Sequence, residues 1–174
     1  VRGTLADAMR GADLFIGRMR SLLRVAEGGQ AAVPDTLQAT LRPYQVDGFR
    51  WLARLYQGGF GGILADDMGL GKTLQTIALV LHAHKLWEDP EACAELPPAQ
   101  RVRAPFLVVA PSSVVSNWEM EVRRFAPSLR VISIDSTLGD ARQLRELAEG
   151  HDVVLTTYTL LRLNDEIYES QRFA

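Results

Sequence analysis

Gly69, Leu70, Gly71, Lys72 and Thr73 stand in a row, and residues of these types in this order suit the holding of nucleotide phosphates. Glycines let backbone N–H groups approach phosphate oxygens in conformations closed to other residues, and a helix opening behind them adds partial positive charge. A lysine at that helix start reaches the β and γ phosphates, and the hydroxyl beside it ligates the magnesium that bridges them. We therefore expect Lys72 to be the catalytic cation and Thr73 the metal ligand. Asp66, Asp67, Met68, Gly69, Leu70, Gly71, Lys72 and Thr73 form the expected nucleotide-binding loop, with ATP and Mg2+ as cofactors. The plainer alternative is a glycine-rich turn with an incidental lysine. Asp66 stands where the common G-x-x-x-x-G-K-[ST] signature has its first glycine. Two acids beside a triphosphate are electrostatically unfavourable, so Asp66 and Asp67 should turn away from the phosphates or cap the loop backbone.

Such a loop must be held between a strand and a helix. The short apolar run 62–65 precedes it and a helical pattern over 73–87 follows it, which predicts that arrangement. Upstream, Val46, Phe49, Trp51, Leu52 and Leu55 give a helical pattern over 43–57, with Pro43 in a first turn where its missing N–H costs nothing. Downstream, 106–110 is a continuous apolar run, 114–125 is helical, 131–134 is apolar and β-branched, 138–148 is helical, and 153–157 is again strand-like. Strands alternating with helices predict an α/β fold, a parallel sheet with helices on both faces. Residues 88–105 hold four prolines and no periodicity, and read as a surface excursion.

Ahead of all this, residues 5–25 carry the stripe of an amphipathic helix, and paired glycines then a proline end it by Pro34. The expected division is a helical appendage and linker over 1–36 and the nucleotide-binding unit over 37–174.

Composition narrows the function classes. A chain of 174 residues with 47% apolar and 23% charged residues is long enough for one domain with its own core. A formal charge of −2 excludes wholesale electrostatic nucleic-acid binding and leaves room only for local contacts. Cys93 is the single cysteine, so no disulfide framework is expected and a reducing, cytoplasmic setting is the simpler assumption. No apolar run approaches the roughly 20 residues that span a bilayer, so no membrane partner is expected. His82 and His84 are two apart on one expected helix and His151 stands alone, poor spacings for joint metal ligation.

LRPYQVDGFRWL at 41–52 followed by ILADDMGLGKTLQTIAL at 63–79 resembles the Swi/Snf-like branch of the superfamily-two helicases. The resemblance implies a P-loop NTPase of RecA-like fold, here an incomplete lobe, and implies that Gln45 reads adenine. An amide suits that task, having one donor and one acceptor edge for N6 and N7. Asp67 stands where the family usually has glutamate. LVVAPSSVVSNWEMEVRRF at 107–125 and DVVLTTYTLL at 152–161 resemble the family's next two elements, which touch one DNA strand. Ser112, Ser113, Thr156 and Thr157 are then the expected DNA contacts, at the carboxyl ends of predicted strands where ligands of open sheets bind. Taken singly, each also suits a turn or helix cap. Asn117 and Trp118 are expected to fix their helix, and Trp51, Trp87 and Trp118 to serve in packing.

Hydrolysis in this family needs an acidic pair, one acid for magnesium and one for water. The resemblance would put it soon after residue 161, so the expectation is a lobe cut just before that pair. The run ending in Asp135 is followed by Ser136 and comes too early. The expectation is the ATP-binding part of a double-stranded DNA translocase that remodels protein–DNA complexes. Its partners would be double-stranded DNA, a displaced DNA-bound protein, and a second motor lobe in the same parent chain. The segment alone is expected to be inactive. A small P-loop kinase and a nucleotide sensor without turnover are the alternative readings.

Overall fold

The computed structural model describes residues 15–17 and 30–174. The amphipathic helix expected over 5–25 lies outside the described residues apart from 15–17, which are helical and exposed. Residues 30–42 run without regular structure along the main core. Leu37 and Leu41 are buried in it, Ala31 and Val33 pack against it, and the Gln38 N–H donates to the Phe125 carbonyl at 2.7 Å.

Helix α1, Pro43–Gly58, begins with proline in its first turn and ends at Gly59 in the left-handed region, φ 70°, whose N–H closes on Leu55 and Tyr56 carbonyls. Helix α2, Lys72–Glu88, follows the glycine loop. Asp89 then caps the short α3, Pro90–Glu95, and a single 3-10 turn, Pro98–Gln100, follows. The excursion expected over 88–105 is thus partly ordered. The reason is apolar: Leu96 is 2% exposed and packs with Tyr56, Ala83 and Trp87, while the Trp87 indole N–H donates to the Gln100 carbonyl at 2.6 Å.

Strand β1, Phe106–Ala110, leads into α4, Ser112–Phe125; β2, Val131–Ser133, leads into α5, Ala141–Ala148; and β3, Val153–Thr157, leads into α6, Tyr158–Leu163, and α7, Asp165–Glu169. All pairings are parallel in the order β1-β3-β2, with Phe106 and Val131 both level with Val153. The central strand is β3, and its Val153, Val154, Leu155 and Thr156 are essentially inaccessible.

Alternation along the strands makes two cores. Val131, Val153 and Leu155, with Phe106 and Val108 against them, face Phe49 and Ala53 of α1, Ile77, Ala78 and Leu81 of α2, and Val122 of α4. Ile132, Val154 and Leu107 face Leu144 and Ala148 of α5 and Tyr168 of α7. Each fully buried aliphatic side chain contributes about 1.5–3 kcal/mol, so both faces of the sheet need their helices. This is the parallel sheet with helices on both faces that the pattern predicted.

At the foot of the sheet Asp152 is 5% exposed. Its carboxylate accepts the Arg130 N–H at 2.9 Å and the Arg103 guanidinium at 2.9 Å. Burial alone would push this carboxyl up, but those two donors outweigh it and hold it below the usual aspartate range.

One expected element does not form. Residues 62–65 are irregular, and Ile63 is 87% exposed. An apolar run is a strand only where a neighbour takes its N–H and C=O groups, and among the described residues 61–65 take part in no backbone hydrogen bond. Among the described residues, also, no helix is long and apolar enough to cross a membrane.

Candidate functional site

Gly69 and Gly71 both adopt left-handed backbone conformations, φ 82° and 80°, where a side chain is strained. Gly71 is the residue before α2, and no side chain caps that helix start. The first-turn N–H groups, which have no partner within a helix, are therefore left pointing out of the loop with the positive end of the helix dipole behind them. A Cβ placed on Gly69 would meet nothing, so the space in front of the loop is open. Lys72 Nζ reaches across it to the carbonyls of Asp66 and Asp67 at 2.6 and 2.9 Å. The hydroxyl of Thr73, the next residue of α2, makes no hydrogen bond to another described residue. Donors, a cation and an uncommitted hydroxyl converge here, and they fit a magnesium-bound polyphosphate.

Gln45 fixes this loop to α1. Its Oε1 accepts the Arg42 N–H at 2.9 Å, and its Nε2 donates to the Leu70 carbonyl at 3.0 Å. The buried amide thus spans the helix start and the phosphate loop, with one N–H and one lone pair left over. A Cβ on Gly71 would strike the Gln45 amide. Glycine is therefore required there on two counts, backbone and close approach.

The Asp66 side chain turns down towards α2, where its Oδ2 accepts the Gln75 amide at 3.0 Å. Gln75 and Gly48, which sits against the other end of that amide, went unremarked in the sequence. The signal was there: Gln75 interrupts the apolar stripe that Ala78 and Leu81 continue. Met68 is almost fully exposed at the tip of the loop.

The expected DNA contacts divide. Ser112 and Ser113 are exposed at the start of α4, which has no side-chain cap. Thr157 caps α6, its Oγ1 accepting the Leu160 N–H at 3.1 Å. Thr156 is fully buried, and its hydroxyl accepts from Tyr168 Oη at 2.8 Å. Adjacent strand residues face opposite sides of a sheet, so the pair could not both reach one surface. Trp118 packs against the main core and Asn117 is exposed.

The histidines of α2 are packing residues. The His82 ring meets Phe49 edge-on at 5.6 Å, and burial holds its pKa below the usual histidine range. His84 Nδ1 lies 3.2 Å from an Arg103 nitrogen. Among the described residues no group of three or more His, Cys, Asp or Glu side chains could hold a metal ion.

A family model for the SNF2-related domain matches residues 44–174. The chain belongs to that family. Its relatives include the TATA-binding protein-associated factor mot1 of Aspergillus fumigatus, 33% identical over 165 residues, covering 95% of this chain and 9% of the relative. The ISWI chromatin-remodeling complex ATPase CHR17 of Arabidopsis thaliana is 38% identical over 141 residues, covering 78% of this chain and 12% of the relative. Among solved structures, the Sulfolobus solfataricus SWI2/SNF2 ATPase core in complex with dsDNA superposes with a TM-score of 0.60 at 41% identity, over 76% of this chain and 24% of that one. The chain therefore has the RecA-like fold of the SWI2/SNF2 ATPase core, as part of one lobe. It spans about a tenth of the length of these two curated relatives.

Proposed function

We propose that these 174 residues are the ATP-gripping part of a longer DNA-dependent ATPase, one that moves along double-stranded DNA and remodels protein–DNA complexes. The observation that carries this reading is the uncapped, glycine-built start of α2 with Lys72 and Thr73 at its head and Gln45 clamping it from α1. In this reading the backbone N–H groups of residues 69–73 bind the β and γ phosphates, and Lys72 keeps the Asp66 carbonyl while it turns its third N–H, and the one now on the Asp67 carbonyl, to phosphate oxygens. Thr73 supplies a hydroxyl to magnesium, and that ion, when bound, neutralises charge developing during phosphoryl transfer. Gln45 meets adenine with its remaining donor and acceptor.

Ser112, Ser113 and the open N-terminus of α4 offer hydroxyls and N–H groups to a DNA backbone, with Thr157 nearby on β3. Thr156 supports that track from within the core rather than touching it. The second motor lobe and the acidic pair that activates water belong, in this reading, to the same longer chain. Support for DNA as the track comes from the SNF2-related match and from the likeness to an ATPase core solved with double-stranded DNA.

The test is steady-state ATP hydrolysis by the full-length protein, with and without double-stranded DNA, beside a Lys72→Ala variant. We expect DNA to raise turnover and the variant to lose at least about a hundredfold in rate. Hydrolysis that ignores DNA, or that survives Lys72→Ala, would sink the reading.

A further inference from the structure

Gln75 is fully buried on the apolar face of α2, one turn beyond Lys72, yet it carries an amide. Its Nε2 donates to Asp66 Oδ2 at 3.0 Å, and its Oε1 has no hydrogen-bond partner. Chemistry fixes this orientation, because an ionised carboxylate only accepts and so must face the NH2 group. The oxygen then faces Gly48 of α1, where any Cβ would collide with it. Glycine inside a helix is destabilising, and here the close approach of the amide accounts for it. Asp66, held by Gln75 through its side chain, gives its main-chain carbonyl to Lys72 Nζ at 2.6 Å. Three residues before Gly48, Gln45 holds the far end of the loop at Leu70. One turn of α1 therefore bears on both ends of the loop, directly through Gln45 and indirectly through Gln75.

We propose that Gln75 is a positioning residue for ATP hydrolysis: it ties Asp66 to α1, so that the carbonyl orienting Lys72 keeps one place relative to the adenine end of the site. The proposal rests on the reading of this loop as an ATP site. Lys72 must meet the γ-phosphate as charge develops in the transition state. A shift of Asp66 moves Lys72 away from that position, while ground-state affinity, which comes from the loop N–H groups and Gln45, changes less. Turnover should thus be affected more than substrate binding.

The experiment uses the full-length ATPase with saturating double-stranded DNA. Gln75→Leu should lower kcat about tenfold while the KM for ATP moves less than about threefold. Its unfolding midpoint should change little, since the hydrogen bond lost at half-buried Asp66 is offset by removal of a buried acceptor that has no partner. Gln75→Glu sets a second carboxylate against Asp66 and should be at least as slow. Adding Asp66→Asn restores the hydrogen bond with donor and acceptor exchanged and leaves the Asp66 main-chain carbonyl in place, so the double variant should recover most of the lost kcat. A lower midpoint with kcat per folded molecule unchanged would make Gln75 a packing residue and overturn the proposal. So would a double variant as slow as Gln75→Glu alone. Absence of Lys72-dependent hydrolysis in the unaltered protein would instead bring down the nucleotide reading, and this proposal with it.

Discussion

Helices α5 and α6 begin with their N-terminal N–H groups taken up by side chains, Asp140 accepting from Gln143 and Thr157 from Leu160. Helices α1, α2, α4 and α7 begin without a side-chain cap. Two of these four, α2 and α4, open at the two places where the sequence predicts contact with phosphate. A cap contributes typically about 1 kcal/mol, so its omission forgoes stability. At the foot of the sheet, likewise, the Asp152 carboxylate is answered internally by the Arg130 N–H and the Arg103 guanidinium. At α2 and α4 the N–H groups left without a side-chain cap are free to bond a ligand.

Substitutions can test that contrast. The largest effect is expected from Gly71→Ala in the full-length protein, which puts a side chain into a left-handed position and against Gln45. Titration with a fluorescent ATP analogue should show affinity falling more than about tenfold, and an unchanged affinity would mean that the loop geometry is incidental.

At the foot of the sheet, Asp152→Asn should cost about 1–2 kcal/mol in a urea melt, a figure kept modest because its arginine partners are half exposed. Nucleotide affinity should stay as it was. The folded-state pKa of Asp152 is depressed, so its contribution is complete above the unfolded value of about 3.9 and is lost as pH falls through the folded one. Wild type and Asp152→Asn should therefore converge in stability in acid, and a gap that persists at the lowest pH would contradict the pairing.

Asp140→Ala removes a cap from α5 and should cost about 1 kcal/mol, again without touching ATP affinity. The smallest change should be the most telling. Pro111→Asp offers α4 the cap it lacks and should add about 0.5 kcal/mol of stability while weakening stimulation of hydrolysis by DNA. Equal stimulation with and without that cap would remove α4 from the DNA track.

Much of this was legible in the residues. The runs 106–110 and 153–157 are strands β1 and β3 to the residue, because each is an unbroken apolar or β-branched stretch that opens after a proline or a charged residue. Helix α5 starts three residues later than its apolar pattern because Asp140, a good cap, takes precedence over the apolar Leu138. The helices after Thr157 were missed, being too short for a period to show. The loop itself was readable from composition alone, since few other tasks need two glycines, a lysine and a threonine in that order. Its underside was not: that Gln75 faces Asp66 and Gly48 depends on how α1 packs on α2, a tertiary fact with no local signature beyond one polar residue in an apolar stripe. The run 62–65 failed in the opposite direction, because its residues favour a strand that only a neighbour can complete.

That unpaired run should bear on how these 174 residues behave in solution. Ile63 stands in water beside backbone groups that bond to nothing else described, and groups of that kind can be completed by the same segment of another molecule. Self-association through this segment, increasing with protein concentration and blunted by a charge in place of Ile63, is the solution behaviour the fold leads one to expect.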